Sequence, residues 1–196
     1  DSYPESNLLS LALTKFTSGS VALGGPAMTP ISDSFKQKVS GVVFSSRITG
    51  GSPERYRPVG EQREVDDWPS VNLMVKRDVF IGVDGFDSPY WPGEDTFLCL
   101  KLLRAGHKVT YVPDLIVWHH RREGLLRHMK QVGAYGLHRG YFARHLPETS
   151  RRVQYFFPSL VFLMFLIAPV TLLLPTIIRL LTLVGICVYL SAVIVG

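Results

Sequence analysis

The chain has 196 residues, 46% apolar and 19% charged, which supplies one packed core and excludes disorder throughout. Its net charge of +5 is unevenly placed: residues 1–120 hold 12 Lys and Arg against 14 Asp and Glu, residues 121–152 hold 8 against 2, and residues 153–196 hold Arg179 alone. A basic segment beside an uncharged run is a juxtamembrane pattern, and it argues against nucleic acid as the partner because lipid is the nearer polyanion.

Residues 7–16 (NLLSLALTKF) predict a short helix with Ser6 as cap, and residues 20–23 a buried strand ended by Gly24-Gly25-Pro26. Residues 47–67 are polar and broken by Gly50-Gly51, Pro53, Pro58 and Gly60, which predicts one long loop. Residues 71–75 read as a strand, 76–81 as a helical turn, and 82–93 as a turn-rich stretch holding Pro89, Tyr90, Trp91 and Pro92. Residues 94–105 (EDTFLCLKLLRA) begin with acids, end with Lys101 and Arg104 and stop at Gly106, as a helix dipole favours. Two short strands follow over 108–112 and 115–118.

From residue 123 to about 145, Leu125, Leu126, Met129, Val132, Tyr135 and Phe142 recur at helical spacing among basic residues. Such a helix just ahead of an apolar span is expected to lie along a membrane surface, with Arg121, Arg122, Arg127, Lys130, Arg139, Arg144, Arg151 and Arg152 toward anionic lipid. Residues 153–174 carry no charge and are long enough to cross a bilayer; residues 177–196 can return as a second span after a tight turn. The basic cluster ahead of the first span places residues 1–152 in the cytoplasm. Cys99 and Cys187 lie in different parts, consistent with a reduced compartment. The expected division is 1–120 for the α/β part, 121–152 for the basic juxtamembrane segment and 153–196 for the membrane segments.

Three places could carry chemistry. Glu94 and Asp95, adjacent acids at a helix N-terminus behind Gly93, face free N–H groups that favour the ionised form; they read as a general base with a supporting acid, or as plain capping. Trp118-His119-His120 offers one imidazole per strand face, either as part of a divalent-metal shell or as a surface pair. Asp1 opens an Asp-Ser-Tyr-Pro segment ahead of the first helix.

The order Asp1-x-x-Pro4, Gly24-Gly25-Pro26, Asn72-Leu-Met-Val-Lys-Arg77, Gly82-Val-Asp-Gly-Phe-Asp87, Gly93-Glu-Asp95, Arg104-Ala-Gly106, Tyr111-Val-Pro113 and Trp118-His119-His120 resembles the family 2 glycosyltransferases of GT-A fold. The resemblance implies a partial GT-A (Rossmann-like) α/β domain followed by the interfacial helix and one or two membrane helices. It implies an inverting transfer from a nucleotide-sugar donor to a lipid-linked, glycan or membrane-proximal acceptor, in cell-surface polysaccharide or glycolipid synthesis.

By the same resemblance, Asp1 stands where the last acid of an Asp-x-Asp motif holds a divalent cation, Mg or Mn, and His119 completes that metal's shell. Asp95 is the general base, Glu94 supports it, and Asn72, Arg77, Asp87, Tyr90 and Trp91 border the donor and acceptor pocket. The nucleotide-binding half that carries the first acid of the metal motif is expected ahead of Asp1, so residues 1–196 alone are expected to be inactive. Gln131-Val-Gly-Ala-Tyr135 departs from the Gln-x-x-Arg-Trp motif of processive members, which implies transfer of one sugar at a time. The alternative is a non-catalytic or degenerate module that binds anionic lipid.

Overall fold

The computed structural model describes residues 1–16, 20–49, 52–86, 92–171 and 173–195. Its centre is a four-stranded sheet of order β4 (Arg63–Val65), β6 (Lys108–Tyr111), β2 (Ser20–Gly24) and β5 (Leu73–Val75). The β2–β6 pair is parallel and the two outer pairs are antiparallel. Strand β2 is buried along its whole length, which its unbroken run of small and apolar residues anticipates for a central strand.

One face of this sheet packs Ala22, Val109 and Tyr111 against Leu98, Cys99 and Leu102 of α4 (Glu94–Arg104), with Trp68 closing the cluster. The other face packs Leu23, Val112 and Leu115 against Leu8 and Ala12 of α1 (Leu8–Lys15). Burying each large side chain stabilises the fold by roughly 1.5–3 kcal/mol. Trp68 lies flat on Gly24, where a Cβ would fall 2.3 Å from the indole, and its Nε1–H donates to the Gly25 carbonyl at 3.0 Å. The Gly-Gly-Pro segment is therefore a platform for this tryptophan.

A second sheet of order β1 (Ser2–Pro4), β7 (Val117–His119) and β3 (Ala27–Met28) forms an adjoining edge. β1 runs antiparallel to β7, and β3 parallel to it. Neither β1 nor β3 has a sequence signal of its own, because two- and three-residue strands are made by their partners. Residues 35–45 form α2 (Phe35–Ser45), capped by reciprocal bonds between Ser34 and Gln37. The Ser-x-x-Gln spacing announces that cap in the sequence.

Several expected boundaries shift. The 47–67 loop contains a 3-10 turn (Pro53–Arg55) and strand β4, which adds to the edge of β6 by pairing that no local signal shows. Asn7, not Ser6, stands at the N-cap of α1. The strand expected from residue 71 begins at Leu73 after a 3-10 turn (Ser70–Asn72), and α3 (Arg77–Gly82) follows it.

The long basic helix is α5 (Leu125–His145), followed by the short α6 (Pro147–Ser150). Two helices, α7 (Val153–Thr171) and α8 (Thr176–Val195), are long and apolar enough to cross a membrane, and their spanning windows bury nothing inside the protein. They touch through Tyr189, whose ring meets Phe157 and Phe165. An all-round apolar surface left uncovered is what a membrane span presents and a soluble core helix does not.

Candidate active site

Helix α4 starts at Gly93, whose φ of +130° is a conformation side-chain-bearing residues avoid. A Cβ there would lie 1.3 Å from Cε1 of His138, so α5 sits directly on the start of α4. Glu94 folds back and its Oε2 accepts the Gly93 N–H at 2.9 Å. Asp95 accepts the Ser70 N–H at 3.2 Å through Oδ2 and the Thr96 N–H at 2.7 Å through Oδ1.

Beside Asp95 lies Asp67, a carboxylate without a sequence motif. It accepts the Thr96 hydroxyl at 3.1 Å and pairs with Arg55 at 3.2 Å and with Arg139 of α5. Burial alone would raise its proton affinity; the two guanidinium groups and Thr96 overcome that and hold it at about 2. Asp67 is therefore a permanent buried anion.

Asp95 behaves differently. Burial, then the neighbouring Asp67 charge, push its pKa up, and the two N–H bonds recover only part of the shift, with Glu94 adding to it. This corrects the expectation that the helix N-terminus would favour the ionised form: desolvation and two like charges outweigh the dipole. A carboxylate of raised proton affinity at the mouth of a helix is a stronger base than an ordinary carboxylate.

The second locus is the β1–β7 edge. Ser2 stands opposite His119, so Asp1 stands opposite His120, and the His120 N–H donates to the Asp1 carbonyl at 3.0 Å. Directly opposed residues share a face while neighbours alternate, so Asp1 shares its face with His120 and not with His119. The Tyr3 ring, two residues along that same face, lies 5.9 Å from the His120 ring.

Strand register thus sets Asp1 opposite His120 rather than opposite His119. His119 is turned the other way, and its Nδ1 accepts from Arg121 at 3.1 Å. Burial and the Arg121 charge lower its pKa to about 4, which keeps it neutral. His120 is half-exposed, and its Nδ1 is held by Asp33, a carboxylate 2% exposed whose Oδ2 has no partner. An imidazole fixed at one nitrogen by a carboxylate presents the other outward, the arrangement common to metal-binding histidines. Asp1 and His120 share this face, and among the described residues no three His, Cys, Asp or Glu converge on one point.

The other expected pocket residues divide. Asn72 is buried and spends both amide hydrogens on the Pro26 and Leu115 carbonyls, at 3.1 and 2.7 Å, which joins the Gly-Gly-Pro platform to the strand ahead of β7. Arg77 is exposed at the start of α3. Asp87, Tyr90 and Trp91 lie outside the described residues.

The basic cluster divides as well. Arg121 is a core residue: it donates to Thr29, to His119 and to the Ala27 carbonyl, and lies over the Tyr56 ring. Arg139 faces inward to Asp67 and Ser150, and Arg152 pairs with Asp66. Each of these three has an acid, hydroxyl or carbonyl partner in the fold, as does Arg151 in the Ala143 carbonyl. Arg122, Arg127, Lys130, Arg144 and Arg151 remain exposed.

Helix α5 therefore does not lie free. Its inner edge is docked, with His128 bonded to Ser40 at 2.8 Å, His138 over Gly93, and Phe142 fully buried against Leu100 and Leu146. Leu125, Leu126, Met129 and Leu137 stay exposed on the opposite side.

Comparison with known proteins places these features. The sequence pattern of glycosyl transferase family group 2 matches residues 2–195. Pre-mycofactocin glycosyltransferases from two Mycobacterium tuberculosis strains, CDC 1551 / Oshkosh and ATCC 25618 / H37Rv, are each 27% identical over 136 residues. That alignment covers 69% of this chain and 28% of each relative, so the match spans little more than a quarter of their length.

Proposed function

The chain belongs to glycosyl transferase family group 2, and from that premise we propose that it carries the acceptor-activating side of an inverting, metal-dependent glycosyltransferase. The donor is a nucleotide sugar, and the acceptor is a lipid-linked or membrane-proximal glycan of cell-surface polysaccharide or glycolipid synthesis. The observation that carries this reading is Asp95, a half-buried carboxylate of raised proton affinity held by main-chain N–H groups at the start of α4.

In this reading Asp95 removes the proton from an acceptor hydroxyl as that oxygen attacks the anomeric carbon. The bond from that carbon to the diphosphate oxygen breaks on the opposite side, the nucleoside diphosphate leaves with the electron pair, and configuration inverts. The Ser70 and Thr96 N–H groups aim the carboxylate, and Glu94, tied back to Gly93, is placed to meet acceptor hydroxyls. Asp1 and His120 are the residues here that would hold the divalent cation, Mg or Mn. When bound, such a cation neutralises charge on the departing diphosphate.

Helices α7 and α8 form a membrane hairpin in this proposal, and the exposed bases and leucines of α5 meet the lipid surface. The excess of Lys and Arg ahead of α7 supports a cytoplasmic side for the catalytic part.

The test is Asp95→Asn in the intact enzyme. Transfer should fall by about 10²–10⁴-fold, the usual contribution of a general base, while calorimetric binding of the nucleotide sugar persists. Retained transfer overturns the assignment.

A further inference from the structure

We propose that Asp67 is a positioning residue for Asp95, and that Arg139 links Asp67 to Tyr155 of α7, so that the seating of the membrane hairpin reaches the acid that activates the acceptor. This rests on Asp95 being the base.

The geometry is continuous. Tyr155 lies in the first turn of α7, and the Arg139 guanidinium sits 4.6 Å from the centre of its ring. The same guanidinium pairs with Asp67 and donates to Ser150 at 3.3 Å. Asp67 in turn accepts the hydroxyl of Thr96, whose N–H bonds Asp95. Arg55 donates to both the carboxylate and the main-chain carbonyl of Asp67, at 3.2 and 3.3 Å, so the anion is fixed from the other side.

Asp67 is buried, and when it loses one of its two cations it stays an anion, held by Arg55 and Thr96 but less compensated. Thr96 is buried at the first turn of α4, and His138, one residue before Arg139, fills the space over Gly93. A displacement of α5 therefore uncovers the start of α4 and removes a positive charge in the same motion.

The ionisable groups around Asp95 are Asp67, Glu94, Tyr56 and Cys99, with Arg55 and Arg139 acting on it through Asp67 and His138 facing Glu94. Among these, His138 and Arg139 are carried by α5, which the short α6 joins to the membrane segment, and the Arg139 guanidinium also lies against the Tyr155 ring of α7. Arg139 thus joins α7 to the charge that Asp95 faces.

The experiment is the pH dependence of kcat/KM in the intact enzyme reconstituted in lipid vesicles. Asp67→Asn removes a negative neighbour, so the acid limb moves to lower pH. Arg139→Gln leaves Asp67 less compensated, so the limb moves to higher pH, each by about half a unit or more. Arg139→Lys keeps the charge and most of the wild-type limb. The double variant follows Asp67→Asn, because Arg139 acts through Asp67. Tyr155→Leu moves in the direction of Arg139→Gln with smaller amplitude, whereas Tyr155→Phe keeps the ring and the wild-type limb.

General damage lowers kcat without opposed shifts, so limbs that stay still, or move together, overturn the proposal. If the Asp67 and Arg139 variants fail to fold, the Tyr155 pair decides it by the same criterion. Asp95→Asn separates the two readings: transfer retained there removes the base itself, while transfer lost there with unmoved limbs elsewhere removes only the link to α7.

Discussion

Asp95 and Asp1 are the two acids on which the proposed function rests, and they are built by different means. Asp95 is enclosed by its own domain: two N–H groups orient it, a permanent anion adjoins it, and a histidine of α5 closes over the preceding glycine. Asp1 lies exposed at the end of a three-residue strand, with one cross-strand imidazole beside it and a buried carboxylate behind that imidazole. Enclosure gives Asp95 an altered proton affinity before any ligand arrives. The open edge leaves Asp1 without such enclosure.

The largest expected effect tests the enclosure. Gly93→Ala forces a Cβ into the His138 ring on a backbone that disfavours it, which should cost about 3 kcal/mol from overpacking and left-handed strain together. Thermal unfolding of the intact enzyme measures this, and adding His138→Ala should restore much of the loss. An unchanged melting temperature in Gly93→Ala would show that α5 does not seal this helix end.

The open edge is tested by cation affinity. Asp33→Asn and His120→Ala should each weaken Mn²⁺ binding by about 10–100-fold, whereas His119→Gln should leave it close to wild type. Titration of the intact enzyme with Mn²⁺, followed by electron paramagnetic resonance, reads this without requiring turnover. Affinity that follows His119 and ignores His120 would restore the opposite strand face as the ligand face.

The smallest effect concerns the histidine turned inward. His119 titrates near 4 in the folded chain against an ordinary 6.5, so the unfolded chain binds the proton first as pH falls. Stability should decline between pH 6.5 and 4, and His119→Gln should flatten that part of the unfolding profile. A profile identical to wild type over this range would place the titration elsewhere.

Much of this molecule is legible along the chain. The acids that open α4, the bases that close it and Gly106 beyond mark its ends nearly to the residue. The charge-free runs mark α7 and α8, and the ordered motifs mark the family. What stays hidden is what distant segments build together. Asp67 looks like the last residue of a polar loop, yet its two cations come from 12 residues before it and 72 after it. Asp33 sits 87 residues from the imidazole it holds, in a region with no chemical motif. His119 and His120 are indistinguishable by spacing, and strand register separates them.

The amino-acid sequence by itself thus determined α1, α4, α5, the apolar spans, the two acids of α4 and the membership of a glycosyltransferase family, because caps, runs and adjacent motifs act over a few residues. Tertiary structure alone decided which histidine shares a face with Asp1, which arginines turn inward from the basic segment, and which charge Asp95 faces. Those outcomes depend on strand pairing and on burial, and a buried carboxylate takes its cations from wherever the fold brings them.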